Sequence, residues 1–162
     1  MQSMLELPPL KPVRILVVGE LVLDRYLWGE VSRISPEAPI PVLHVNRREE
    51  RCGNAAFVCA NLAAFGASAV VLSVIGSDSN GEILTAMLDG LGVETHALVQ
   101  DPGRLTIVKE RLLGSVQSTH RAIQQLLRVD NEDARPLDGA IETAVLAQLE
   151  RELDRADGVL VS

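Results

Sequence analysis

The segment Val13-Arg-Ile-Leu-Val-Val-Gly19 constrains the fold most: it is a short apolar run closing on glycine. A run without alternation reads as a strand buried on both faces, and such strands belong to parallel sheets whose crossover helices cover each side. The pattern recurs. Ala69–Ile75 is a second run of this kind, and Gly158-Val-Leu-Val-Ser162 begins another. Between them lie helical stretches. Gly53–Phe65 places Val58, Leu62 and Phe65 at helical spacing, with Asn54 as a candidate N-cap and Gly66 as the stop. A helix capped at Ser79 runs to Leu91 and ends at Gly92. Ala140–Leu153 carries Ile141, Val145, Leu149 and Leu153 at four-residue steps. Strand–helix alternation of this kind predicts a doubly wound α/β fold.

Two regions break the alternation. Leu23–Trp28 and Val42–Val45 read as strands separated by an extended loop, Val31–Pro41, with Pro36, Pro39 and Pro41. Arg47–Arg51 is a charged exit. Thr106–Leu113 and His120–Val129 read as half-exposed strands around a Gly114-Ser115 turn. Together these segments (about 23–50 and 104–130) predict a small β lid beside the main sheet. Residues 1–12, with Pro8, Pro9 and Pro12, are expected to be a poorly ordered leader. The last strand has no helix after it, so residues 13–162 read as the front part of a larger, truncated domain.

Composition narrows the function. With 162 residues, 47% of them hydrophobic, the chain can build a core. A net charge of −7 and 2% aromatic residues argue against a nucleic-acid partner. No apolar run reaches the roughly 18 residues of a membrane span, and no signal peptide is evident. Cys52 and Cys59, read as sharing one helix face, and the scattered His44, His96 and His120 make neither a metal site nor a disulfide framework. A reducing, cytoplasmic setting follows.

Four features could carry chemistry. Asp24 lies beyond the carboxyl end of the first strand, where ligands of open α/β sheets bind; a carboxylate there can hold vicinal hydroxyls, or it is a solvated loop residue. Gly53-Asn54 opens a helix whose free amides could meet a ligand, or is simple capping. Gly76-Ser77-Asp78-Ser79-Asn80-Gly81 reads more readily as a strand-to-helix junction than as a site, and neither GxGxxG nor GxxxxGK[ST] occurs. Arg33, Arg47, Arg48, Arg51, Lys109, Arg111, Arg121 and Arg128 could line a pocket for an anion, although most would serve as ordinary exposed charges.

Taken together, these residues resemble the PfkB/ribokinase family of carbohydrate kinases. The resemblance runs from Val13 to the end through Val-Val-Gly-Glu-Leu-Val-Leu-Asp24-Arg-Tyr, Cys-Gly53-Asn54-Ala-Ala-Phe57-Val-Cys-Ala-Asn61-Leu and Ile75-Gly76-Ser-Asp78-Ser-Asn-Gly81. The string Ser32-Arg33-Ile34-Ser35-Pro36-Glu37-Ala38-Pro39 is its most specific part and looks like heptose 7-phosphate kinases, which often share a chain with an adenylyltransferase domain.

The resemblance implies a ribokinase-like core with a β lid. It also implies transfer of the γ-phosphate of ATP, with Mg2+, to the C1 hydroxyl of a heptose 7-phosphate on the way to nucleotide-activated heptose for lipopolysaccharide. By position it implies substrate contacts at Asp24, Gly53, Asn54, Lys109, Arg111 and Gln125, and a homodimer paired through the lid. Where the family has a second loop glycine this chain has Asn54, and where it has a sugar-contacting asparagine this chain has Phe57. The family's Gly-Ala-Gly-Asp motif, which supplies the catalytic base, does not occur, nor does an HxGH-like motif. The 162 residues are therefore expected to hold sugar-side groups and no catalytic, cofactor-binding or metal-binding ones, and to be inactive alone. The alternative expectation is a non-catalytic module that binds a sugar phosphate or pairs through its lid.

Overall fold

The computed structural model describes residues 13–116 and 123–162; the leader 1–12 and the lid residues His120 and Arg121 lie outside them. In chain order the elements are β1 (Arg14–Val18), β2 (Leu21–Ile34), β3 (Pro41–Asn54), α1 (Ala55–Ala64), β4 (Ser68–Leu72), β5 (Val74–Gly76), α2 (Ser79–Gly90), β6 (Val99–Asp101), β7 (Ile107–Val116), β8 (Ile123–Asn131), α3 (Gly139–Leu153) and β9 (Gly158–Val161).

β1 is buried on both faces, as its composition requires. It is the middle strand of a parallel sheet ordered β4-β1-β9. Val17 joins Val71, Ala56, Cys59, Leu84 and Leu88 in a core covered by α1 and α2. Leu16 turns the other way, onto Val70 and Leu72, where Val145 and Leu149 of α3 pack. Helices thus cover both faces. Each of these fully buried Leu and Val side chains is worth about 1.5–3 kcal/mol against exposure. The β9 edge is covered least: Val159, Leu160 and Val161 stay exposed.

The second sheet is mixed, ordered β3-β2-β7-β8, with β2 antiparallel to β3, parallel to β7, and β7 antiparallel to β8. It rises from the carboxyl end of β1, since only Gly19 and Glu20 separate β1 from β2. Its inner end packs on the main core through Leu21, Leu23 and Val108.

Several expectations need correction. The strands of the lid are longer than the sequence suggests. β2 runs on to Ile34, so the proline-rich loop shrinks to a turn before Pro41, and the charged segment Arg47–Arg51 is part of β3. Gly114 and Ser115 are not a turn; they pair with Gln124 and Ile123 inside the β7–β8 ladder. α1 starts at Ala55 rather than Gly53, so Cys52 lies on β3 and only Cys59 on the helix. Burial holds the Cys59 thiol up at about 12 and raises that of Cys52, which keeps both protonated and poorly nucleophilic. The run Ala69–Ile75 is split at Ser73 into β4 and β5, and β5 leaves to pair with β6. Gly66 and Gly92, at φ 81° and 77°, end α1 and α2 as expected.

Candidate acceptor-binding site

The face of the lid that carries Asp24 can be read off the ladder. Residues in register across neighbouring strands project from the same side. The row nearest the core is Gly53, Val22 and Ile107. The next is Arg51, Asp24, Lys109 and Asp130; the third is Glu49, Tyr26, Arg111 and Arg128; the fourth is Arg47, Trp28, Leu113 and Gln125. Successive rows stand about 6.6–6.8 Å apart along the strands.

Five of the six expected substrate residues fall close together here. Asp24 sits against Gly53: a Cβ on residue 53 would lie 2.7 Å from Asp24 Oδ2, so glycine is needed for that approach. Lys109 is directly beside Asp24 on β7, and Arg111 donates from Nη1 to Asp24 Oδ1 at 2.6 Å. That hydrogen bond from Arg111, with the attraction of the carboxylate, holds the guanidinium firmly protonated. Gln125 shares the face but lies two rows out, roughly 13 Å along the strand, and is exposed.

Asn54 follows Gly53 at the entry to α1. It does not cap that helix with its side chain, contrary to the sequence expectation. Its backbone is at φ 47°, ψ −128°, the one non-glycine residue with positive φ among the described residues. Such a conformation costs a residue with a Cβ about 1–3 kcal/mol. Asn54→Gly is therefore expected to raise the melting temperature by about 2–4 °C, a net gain near 1 kcal/mol after the entropy of glycine is charged against it. Thermal denaturation followed by circular dichroism checks this; an unchanged or lower midpoint contradicts it.

Below the lid, a cavity of about 450 Å³ opens at the carboxyl ends of β1, β4 and β9, bounded by Gly19, Leu72 and Ser162. Its wall includes Ile107, from the foot of the Asp24 face, together with Arg104 and Arg135. The Asp24 face and the strand ends therefore adjoin. This is where open α/β sheets take ligands.

Two features of the sequence resolve differently. Asp78 is a junction residue. Its Oδ1 accepts from the Gly81 amide at 2.8 Å, and its Oδ2 from the Thr106 amide at 2.9 Å. Burial pushes its carboxyl up, but these backbone hydrogen bonds outweigh it and hold it below the usual range. Thr106 Oγ1 completes the clasp by accepting from the Gly76 amide at 3.0 Å. Of the eight expected cations, Arg47, Arg51, Lys109, Arg111 and Arg128 share the Asp24 face, Arg48 lies on the opposite one, and Arg121 falls outside the described residues. The reading of the chain missed Tyr26 and Trp28. Their rings stack 6.3 Å apart on the same face, under the arginines. Their i, i+2 spacing from Asp24 was the available signal.

A parallel α/β core wrapped by helices, with a mixed four-stranded lid rising from its first strand, is the ribokinase-like arrangement. The chain belongs to the pfkB family of carbohydrate kinases, whose family pattern matches residues 13–126. It is 47% identical over 118 residues to the bifunctional protein HldE of Magnetococcus marinus, covering 73% of this chain and 23% of that protein. With the bifunctional protein HldE of Trichlorobacter lovleyi it shares 43% over 150 residues, 93% of this chain and 29% of the other. The chain thus spans less than a third of the length of these curated relatives. Among solved structures, 2-dehydro-3-deoxygluconokinase from Thermotoga maritima superposes with a TM-score of 0.63 at 18% identity, over 92% of this chain and 40% of that one. Ribokinase from Arabidopsis thaliana gives 0.57 at 17% identity, over 93% and 45%. At these identities the likeness is one of fold.

Proposed function

We propose that these residues form the acceptor-binding part of an ATP-dependent sugar kinase whose substrate is a heptose 7-phosphate, phosphorylated at the C1 hydroxyl for nucleotide-activated heptose synthesis. The observation that carries this reading is the Asp24 carboxylate held against Gly53 on a lid face that adjoins the cavity at the strand ends. The choice of a heptose rests on the Ser32–Pro39 string and on the likeness to the bifunctional HldE proteins.

In this reading the chain binds and orients. Asp24 accepts hydrogen bonds from neighbouring sugar hydroxyls, the flat backbone at Gly53 lets the ring approach, and Lys109 and Arg111 supply positive charge. ATP and magnesium supply the phosphoryl group and its charge neutralisation. Among the described residues no group of three His, Cys, Asp or Glu side chains converges, and no step is routed through the metal here. The opposite lid face bears the half-buried Leu27 and Leu112 and the exposed Leu127 and Val129; it is the surface through which two copies pair in this proposal. Among the described residues no helix is long and apolar enough to cross a membrane.

The test is direct. The purified 162-residue chain is titrated with D-glycero-D-manno-heptose 7-phosphate and with ATP in a calorimeter, and ADP release is followed with both present. Saturable sugar-phosphate binding without ADP release is expected. ADP release coupled to sugar phosphorylation contradicts the assignment of catalysis to residues outside this chain. Tight nucleotide binding with no sugar binding replaces the acceptor reading with a nucleotide-binding one.

A further inference from the structure

The aromatic and cationic side chains around Asp24 form a pattern that sugar hydroxyls alone do not explain. The Arg51 guanidinium carbon lies 4.7 Å from the centre of the Tyr26 ring, and that of Arg111 lies 5.2 Å from the same centre. A guanidinium seated on an aromatic face keeps its edge N–H donors free to meet an anion, and the ring fixes it there. Each of these arginines rests on a carboxylate of the same face. Arg111 donates to Asp24 Oδ1 at 2.6 Å, and Arg51 donates from Nε to Glu49 Oε1 at 2.6 Å. Arg128 likewise holds Asp130. Lys109, half-buried beside Asp24, has no carboxylate within 4 Å among the described residues. The two middle rows therefore hold four cations (Arg51, Lys109, Arg111, Arg128) against three carboxylates (Asp24, Glu49, Asp130), in a chain whose net charge is −7.

We infer that Arg51, reaching over from the Asp24 row, and Tyr26 and Arg111, one row outward, form an anion clamp, and that Arg111 exchanges partners when the acceptor binds. The inference rests on the acceptor-site reading above and adds to it a place for the phosphate already on the sugar. Sugar hydroxyls arriving at Asp24 compete with Arg111 for Oδ1. The released guanidinium, still seated on Tyr26, then turns its donors to the phosphate, joined by Arg51 and balanced by the unpaired Lys109. The row spacing of about 6.7 Å sets the clamp several bonds away from hydroxyls held at Asp24, so it calls for a phosphate remote from them on the sugar. A neutral sugar would break the Arg111–Asp24 pair and offer nothing in return. Discrimination for the phosphorylated acceptor is thus built into the exchange. Asp24 is the shared element: it is the counter-ion of the clamp when the site is empty and the hydroxyl acceptor when it is full.

Calorimetry on the full chain with D-glycero-D-manno-heptose and its 7-phosphate tests this, with Arg51→Gln, Arg111→Met and the double variant, each checked for an unchanged circular dichroism spectrum. In the unaltered protein the phosphorylated sugar is expected to bind at least about 30-fold more tightly, the worth of one or two charge-assisted hydrogen bonds. In the double variant that advantage falls below about threefold. Arg111→Met alone raises affinity for the neutral heptose, because Asp24 no longer has a competitor; a merely structural role for Arg111 would lower it. Persistence of the phosphate advantage in the double variant overturns the clamp. Equal binding of both sugars by the unaltered protein also overturns it, while leaving the acceptor site intact. Binding of neither sugar removes the acceptor reading and the clamp with it.

Discussion

Asp24→Asn is expected to weaken binding of the sugar phosphate by at least about 100-fold while leaving the fold in place. The two side chains are nearly isosteric, so packing against Gly53 changes little. Their hydrogen-bonding differs decisively. A carboxylate only accepts, through both oxygens; the amide must present an NH2 group on one side. In the empty site Oδ1 accepts from Arg111 Nη1 at 2.6 Å, and in the acceptor reading both oxygens accept from sugar hydroxyls once the substrate is bound. Whichever way the amide turns, its NH2 group cannot accept from a hydroxyl and its oxygen no longer carries the charge. Hydrogen bonds to a charged partner are worth about 1.5–3 kcal/mol each, and losing the equivalent of one or two gives the stated factor. The loss of stability should be smaller, about 1 kcal/mol, because the ion pair is partly exposed and Arg111 keeps its seat on Tyr26. Calorimetric titration of the variant checks the first effect and a thermal melt the second. A dissociation constant within about threefold of the unaltered protein would remove Asp24 from the acceptor site.

The core was readable because burial leaves a pattern in the apolar residues. β1 and β4 hold unbroken apolar runs and α1–α3 carry apolar residues at helical spacing, although Phe65 of the expected α1 face lies past the helix end and is exposed; the glycines that end α1 and α2 have the positive φ that stops a helix. The lid was readable only as to its existence. Along Arg47–Arg51 both faces of the strand meet water or a charged partner, so no apolar alternation marks it as β. β2 tolerates the nearby prolines because Pro36 and Pro39 fall in the Ser35–Ile40 turn and Pro41 opens β3, where few ladder amides are required. Gly114 signals a turn in isolation. Its reason here is crowding inside a sheet, since a Cβ would meet Leu126 at 2.7 Å and Val31 at 3.0 Å. Asp24 and Gly53 could be picked out singly from their places at element ends. That Tyr26 would lie beneath Arg51 and Arg111 could not, because it depends on the register between strands far apart in the chain, and a slip of one residue would put them on opposite faces.

At the other end of the sheet, Glu152→Gln should cost about 3 kcal/mol of stability at neutral pH, a fall of roughly 6–12 °C in melting temperature. Glu152 is 1% exposed, on α3. One carboxylate oxygen accepts from Arg14 Nη2 at 2.7 Å and the other lies 3.0 Å from His96 Nε2. Arg14, on β1, also grips Glu94 through two donors, at 3.1 and 2.9 Å. The cluster therefore ties α3, β1 and the segment before β6 together. Burial pushes the Glu152 carboxyl up, yet the hydrogen bonds from His96 and Arg14 outweigh it, and the folded value lies below the ordinary one. For Glu94 the Arg14 hydrogen bond is the largest influence and acts in the same direction. A carboxyl lowered on folding stabilises above its unfolded pKa and loses that contribution as the pH falls through the folded one. The gap between the unaltered protein and the variant should accordingly be widest near pH 7 and narrow as the pH drops below about 4. Paired melts across that range settle it: a gap that stays constant, or widens in acid, would mean that packing rather than charge holds α3 down. The cluster lies at the amino end of β1 and the Asp24 face, the proposed acceptor site, beyond its carboxyl end, so folded Glu152→Gln should bind sugar phosphate as the unaltered chain does. That separates a failure of the framework from a failure of the site.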